Sequence, residues 1–232
     1  MQKEIATLRD ALNMMLLVHH DGIVAQEQFT LSHFVALLDN GFLTPIRPGW
    51  YFMNYPAHVE SLTRWRRCYW SFVSLYVPRR WGEDYCLNAE ASLGLLTLGD
   101  PPKDLTILRR KPGVYRIELC FDDTLHIRGE KNFPAQVEYA RGVPVMEIHE
   151  ALARVPNTFF QKSRGIAHCA IRRVQDMESL VETLEAHGKR RRAEWIVRER
   201  SRLDAELQQE RLLYQKERES ASGLERARSA IE

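Results

Sequence analysis

Residues 41–52 read GFLTPIRPGWYF. Two apolar runs, Phe42-Leu43 and Trp50-Tyr51-Phe52, flank Pro48-Gly49, whose glycine supplies the positive φ of a type II turn, so the stretch predicts a hairpin. Just upstream, Thr30 stands as an N-cap before Leu31, Phe34, Val35, Leu37 and Leu38 at helical spacing, and Asn40-Gly41 is the stop. Earlier still, Ile5, Leu8, Leu12, Met15 and Leu16 keep a helix period until Asp21-Gly22 ends it, and a short apolar-polar run, Ile23–Gln28, follows. Helices joined by a tight link and followed by a hairpin predict a winged helix-turn-helix domain over 1–56, closed by Pro56.

Downstream the character changes. The stretch His58–Leu75 is rich in aromatic and basic residues and reads as a helix covering the next layer, with Tyr76-Val77-Pro78 as the end of a strand. Asn88 can cap a short apolar helix that stops at Gly99. Leu105–Leu108, Tyr115–Leu119 and Thr124–Ile127 read as short strands separated by Pro-Gly and Asp-Asp turns, and Val143–Ala153 as a strand leading into a helix that stops near Pro156. Residues 57–188 are therefore expected to form an α+β middle domain.

From Gln175 to Arg218 there is a single glycine, Gly188, and no proline, while apolar residues thin out among the charged ones. That pattern predicts a long charged C-terminal helix over 189–232. Glu199, Glu206 and Glu210 fall where a coiled-coil seam needs apolar side chains, which favours a solvated or partner-docking tail over a coiled coil and a monomer or weak homodimer over a stable one. The expected fold class is α+β throughout.

The 232 residues contain 33 Lys and Arg, 31 Asp and Glu, and 44% hydrophobic residues, which excludes wholesale disorder and collagen-like architecture. The first residues mix charges of both signs where a signal peptide has a basic start and an apolar run, and no stretch approaches about 18 uninterrupted apolar residues. Cys68, Cys86, Cys120 and Cys169 include no C-x-x-C pair and read as reduced, mostly buried thiols. A cytoplasmic protein without a membrane span is expected.

Enzyme signatures are missing: the sequence has no G-x-S-x-G, G-x-x-x-x-G-K-[ST], G-x-G-x-x-G or H-E-x-x-H. His149-Glu150 leads to Arg154 a turn later rather than to a second metal ligand, and His19-His20-Asp21 reads as the polar end of a helix. Asp122-Asp123 before Thr124 reads as hairpin turn chemistry. No catalytic residues, cofactor or metal are expected.

A winged helix places its second helix in the DNA major groove and lets the hairpin approach the backbone or minor groove. The candidate readers are Thr30, Ser32, His33 and Ala36, with Arg47 on the wing. Yet residues 1–56 sum to −2, and the reading helix has no Lys or Arg; the middle domain sums to +1 and the tail to +3. Phosphate contact would therefore fall to Arg64, Arg66, Arg67, Arg79 and Arg80, interleaved with Trp65, Tyr69 and Trp70, and to Lys189-Arg190-Arg191-Arg192. For Arg64–Arg67 the alternative is a helix face with its stems packed on aromatics, and for 189–192 a solvated helix turn.

With GFLTPIRPGWYF, DYCLNAEASLGLLTLGD and VPVMEIHEALARVP laid out in that order, residues 1–185 resemble the AbiEi family of antitoxins from type IV toxin–antitoxin systems. The resemblance implies a cytosolic repressor that binds inverted repeats in its own promoter as double-stranded DNA. It also implies that the middle domain counteracts a nucleotidyltransferase-type toxin encoded by a neighbouring gene. By position, Ser32, His33 and Arg47 would touch DNA. A second, shorter likeness lies in Ala221-Ser222-Gly223-Leu224-Glu225, which is similar to the inhibitory-helix motif of Fic-type AMP-transferases; the Fic catalytic motif is absent, so this implies at most a regulator or fragment of such a system. The alternative to DNA reading is thus a protein-interaction module or a regulator of a partner enzyme.

Overall fold

A computed structural model describes residues 2–55 and 60–229, including side chains from 4 to 215. It is a mixed α+β structure with a long C-terminal helix and forms two compact units, Met1–Ala151 and Leu152–Glu232. The boundary expected at Pro56 lies within 56–59, outside the described residues.

Unit one begins with α1 (Gln2–Val18), β1 (Ile23–Ala25), one 3₁₀ turn, and α2 (Leu31–Asp39), followed by β2 (Leu43–Arg47) and β3 (Trp50–Met53). Thr30 caps α2 as its sequence requires, its Oγ1 accepting from the His33 amide at 3.3 Å, and Gly41 past the stop has φ +73. The strands form an antiparallel sheet ordered β1-β3-β2, with Ile23 opposite Phe52 and Leu43 opposite Met53. Ala11 and Met15 of α1 pack on Phe34 and Leu37 of α2 and on Val24, Leu43 and Met53, with Leu8 and Leu12 partly buried beside them; of the period read from the sequence, Leu8, Leu12 and Met15 face this core, whereas Ile5 and Leu16 are exposed.

α3 (Ser61–Trp81) is the central element. It buries Trp65, Tyr69, Trp70, Phe72, Val73, Tyr76 and Val77 in one core that also takes Ile23, Ile46 and Phe52 from the first sheet and Leu105, Ile107, Leu125 and Ile127 from the second. Tyr76-Val77-Pro78, expected as a strand end, instead lies within the helix, in its last two turns. Proline normally breaks a helix by clashing with the preceding turn. Here burial of Tyr76 and Val77 on the helix face outweighs that cost, and Pro78 supplies the carbonyl that accepts from Gly82 N at 2.7 Å, closing the helix.

After α3 come β4 (Tyr85–Leu87), α4 (Ala89–Thr97), β5 (Asp104–Arg109), β6 (Val114–Glu118), β7 (Thr124–Gly129), β8 (Val137–Ala140), β9 (Val143–Met146) and α5 (Ile148–Arg154). The four-stranded sheet runs β4-β5-β7-β6, with β5 and β7 parallel and the other pairs antiparallel; β8 and β9 form a separate hairpin. The three expected strands, the Asn88 cap (accepting from Ala91 N at 3.0 Å) and the strand-to-helix step after Val143 are all present. The Asp-Asp turn needs revision. Asp122 does lie in a turn, with φ 59, but Asp123 is fully buried and accepts from Trp65 Nε1 and Arg66 Nη2.

Two hairpin turns of unit one share a geometry. Asp21-Gly22 (φ 48 and 84) and Arg141-Gly142 (φ 50 and 74) each carry positive φ at both central residues, the type I′ arrangement. The first is closed by reciprocal bonds between His20 and Ile23, and the second joins β8 to β9.

Unit two holds α6 (Phe159–Lys162), α7 (Arg164–Arg173), α8 (Met177–Ala186) and α9 (Arg190–Ser229). Gly188, with φ +67, separates α8 from α9. Its buried apolar residues include Ala167, Ala170, Ile171, Leu180, Leu184, Ala193, Ile196 and Leu203. Beyond Leu203 the side chains described are exposed or half-buried, including Leu212, Leu213 and Tyr214, which matches the sparse burial expected of the tail. No described helix is long and apolar enough to cross a membrane.

Candidate functional site

The outward face of α2 is where a winged helix would do its reading. Thr30 and Ser32 are exposed, their hydroxyl oxygens 3.2 Å apart; His33 is half-buried, with its Nδ1 buried and unpartnered among the described residues. The rest of the face is apolar: Leu31 is 75% exposed, Val35 42% and Leu38 38%. Exposed apolar side chains are common one at a time, but three at i, i+4 and i+7 on one nine-residue helix form a patch. Leu31, Ser32, Val35 and Ala36, with Asp39 and Asn40, line a groove of about 1030 Å³ whose other wall is Glu4 and Thr7 of α1. Its charged lining residues are carboxylates.

The β2–β3 hairpin, the expected wing, does not extend a free cation. Arg47 folds back on α3, with its guanidinium 4.7 Å from the centre of the Tyr76 ring and Nη1 donating to the Tyr76 hydroxyl. Burial pushes the Tyr76 phenol up, so the hydroxyl stays protonated and accepts this bond. Beside this hairpin, Arg79 pairs with Glu27 and lies 5.7 Å from the Trp50 ring centre.

The α3 arginines differ in what they hold. Arg64 sits 4.2 Å above the Tyr55 ring, and Arg66 is committed to Asp123 at 2.9 Å and to the Pro101 carbonyl at 3.2 Å. Arg67 and Arg80 are exposed and have no ion pair among the described residues.

In the tail, Lys189 caps the start of α9, its carbonyl accepting from Arg192 N and Ala193 N. Arg190 pairs with Glu194 one turn on, and Arg191 is exposed. Arg192 points inward. Its side chain is buried, Nη1 donates to the carbonyls of Leu152 and Ala153 at 3.0 Å, and Nη2 to Asn157 Oδ1 at 2.6 Å. It thereby satisfies the open carbonyls at the end of α5, the role a cation plays at a helix C-terminus.

The structure therefore brings Thr30, Ser32 and His33 together on α2, while within unit one it commits Arg47, Arg64, Arg66 and Arg79 to partners and within unit two it turns Arg192 inward. Sequence reasoning passed over Leu31, Val35 and Leu38 as a face, because helical spacing marks both stripes of a helix as apolar without saying which is covered. The other clusters weighed from sequence are local caps: His19 Nδ1 accepts from Gly22 N at 3.2 Å, and Glu147 accepts from the amides of His149 and Glu150 at the start of α5. No family model, curated protein or solved structure matches the chain.

Proposed function

We propose that the chain is a winged-helix regulator of the antitoxin type that works by holding a protein partner against α2. The order helix, strand, helix, two-stranded wing, with the sheet paired β1-β3-β2, supports the winged-helix reading. The observation that carries the function is the solvent face of α2: Leu31, Val35 and Leu38 stand exposed beside Asp39, the helix contains no Lys or Arg, and Arg47 is turned away on Tyr76. Such a face repels phosphates and gains by burying apolar area, about 25 cal/mol per Å². The complementary partner segment is apolar and flanked by Lys or Arg.

The test is coexpression with the product of the adjoining gene, followed by titration of the purified pair. Leu31→Asp with Val35→Asp weakens a complex made through α2 by tenfold or more, since each buries an unpaired charge. Undiminished binding by the double variant removes this reading. For the antitoxin role, the same variant fails to relieve growth arrest caused by the partner.

A second reading, operator binding, draws on the exposed Thr30 and Ser32 hydroxyls at the start of α2 and on the unpaired Arg67, Arg80 and Arg191. Fluorescence anisotropy with the chain's own upstream duplex over a range of salt decides it. Sequence-dependent binding favours the operator reading, and its absence at low salt ends it.

A further inference from the structure

The two type I′ turns of unit one meet the same face of α3. Together they border an open polar pocket of about 620 Å³ lined by His20 and Asp21 from the first turn, Arg141 and Gly142 from the second, and Arg67, Ser71 and Ser74 from the helix. The buried Trp70 indole forms part of the lining and is itself held by donating to the Gly99 carbonyl at 2.8 Å.

Three observations mark this pocket as a built site. First, both of its guanidinium groups, Arg67 and Arg141, lack an ion pair or hydrogen-bond partner among the described residues, while most other candidate arginines of this unit are committed. Second, Arg141 occupies the first central position of a type I′ turn, where Asn, Asp or Gly is the favoured residue because φ is positive; the first turn obeys that preference with Asp21-Gly22, and the second does not. Holding an arginine there costs folding energy, so its side chain is retained for what it reaches. Third, the Arg141 guanidinium lies against Gly99, whose carbonyl accepts from the Trp70 indole of the lining. Gly99 has φ +78, and a Cβ on it would stand 2.6 Å from Arg141 Nη2.

The donors and acceptors define the ligand. The Ser71 hydroxyl donates to Asp21 Oδ2 at 3.1 Å and the Ser74 hydroxyl to the Ser71 carbonyl at 2.9 Å, so both serine protons are spent inside the protein. What remains for a ligand is the two guanidinium forks of Arg67 and Arg141, together with oxygen acceptors, the Asp21 carboxylate and the serine oxygens. The forks match a phosphate and the acceptors match hydroxyl groups. We infer that the pocket binds a small hydroxyl-bearing phosphate monoester, with Arg67 and Arg141 on the phosphate and Asp21 receiving a hydroxyl proton. Its volume suits such a ligand. The site is separate from the α2 face and does not rest on the reading given to that face.

Calorimetric titration of the full chain with α-glycerophosphate, inorganic phosphate and glycerol tests this, at constant ionic strength. The wild-type chain binds α-glycerophosphate more tightly than inorganic phosphate, and does not bind glycerol. Arg67→Gln and Arg141→Asn each weaken both phosphates by about tenfold or more, the loss expected for a charged hydrogen bond. Asp21→Asn weakens α-glycerophosphate but leaves inorganic phosphate as tight or tighter, because it removes a negative charge. Folding does not confound the result: Asn is compatible with both turns, so Arg141→Asn raises the melting temperature of the ligand-free chain while losing the ligand. The inference is overturned if the wild-type chain takes up neither phosphate, if Arg67→Gln and Arg141→Asn bind as wild type does, or if a single-stranded oligonucleotide displaces α-glycerophosphate, which would make the pair a contact for nucleic-acid backbone.

Discussion

The Trp65 indole donates to Asp123 Oδ2 at 2.6 Å, inside a core where both residues are fully buried. Arg66, one residue on, supplies the countercharge to Oδ1 at 2.9 Å. One carboxylate thus ties the first turns of α3 to the loop that starts β7. Removing it leaves the buried indole N–H without its acceptor and the Arg66 guanidinium without its countercharge. Asp123→Ala is expected to destabilise unit one by about 3–5 kcal/mol, the cost typical of breaking a buried pair from one side. Asp123→Asn, which retains an acceptor for the indole, costs less. Urea unfolding followed by tryptophan fluorescence measures both, and an alanine variant within about 1 kcal/mol of wild type contradicts the role given to Asp123.

Arg192 makes the same argument for unit two. Burial lowers its guanidinium from the usual arginine value, yet three oxygen acceptors surround it and keep it charged and fixed. Arg192→Gln is expected to cost about 2–3 kcal/mol of stability, and Arg192→Lys a good part of that, because an ammonium cannot span the Leu152 and Ala153 carbonyls and Asn157 together. Arg191→Gln, one residue earlier and exposed, changes stability by less than about 0.5 kcal/mol. Thermal melts of the three variants separate the inward arginine from its outward neighbour. Equal melting temperatures for Arg191→Gln and Arg192→Gln refute the assignment.

What could be read from the sequence follows how local its cause is. Thr30, Asn40-Gly41 and Asn88 act on backbone groups within a few residues, and the helices they bound stand where the sequence puts them. The strand at 105–108 and its neighbours are likewise bounded by turn residues. Tyr76-Val77-Pro78 misleads because proline is a local signal overruled by a distant one, the core that takes Tyr76 and Val77. The arginines are harder still. Nothing near Arg192 in the sequence shows that the end of α5 will need its carbonyls filled, and nothing near Arg67 shows that the β8–β9 turn will bring Arg141 to the same pocket. A run of basic residues reports charge, whereas function depends on which of those charges the fold has already spent.

In unit two, acid is the weak side of the α7–α9 contact. Glu199 accepts from Arg202 and lies 2.9 Å from His168 Nε2. The Arg202 hydrogen bond, followed by the nearby charges of Arg202, His168 and Arg164, outweighs desolvation and holds the Glu199 carboxyl below its ordinary value of 4.5. A carboxylate with a depressed folded-state value stabilises the fold above the unfolded-state value and loses that contribution as pH falls through the lower one. The melting temperature of the wild-type chain is therefore expected to exceed that of Glu199→Gln at neutral pH, with the difference closing as the solution is acidified below pH 4.5. A difference that stays constant across that window shows that the ionised carboxylate contributes nothing to the contact.

Arg47 and Tyr76 bear on how this protein could meet nucleic acid at all. The guanidinium that a DNA-reading wing would present is stacked over a ring only 5% exposed and donates to its hydroxyl, so using it on a phosphate means first breaking both interactions. Such a stacked pair contributes about 0.5–2 kcal/mol, depending on how far it is desolvated. Arg47→Ala is accordingly expected to lower stability within that range while leaving the salt dependence of any DNA binding unchanged. Arg80 and Arg191 are exposed with no ion pair among the described residues, and for them the expectation reverses. If duplex DNA binds, Arg80→Gln or Arg191→Gln reduces the slope of log affinity against log salt by about one for each phosphate that is no longer neutralised, with little change in stability. Anisotropy titrations of the three variants against wild type give the comparison. A slope that falls for Arg47→Ala shows that the wing swings out to engage DNA, and returns the α2 face to the role of a reader; a slope that falls only for the exposed arginines limits any DNA binding to charge alone.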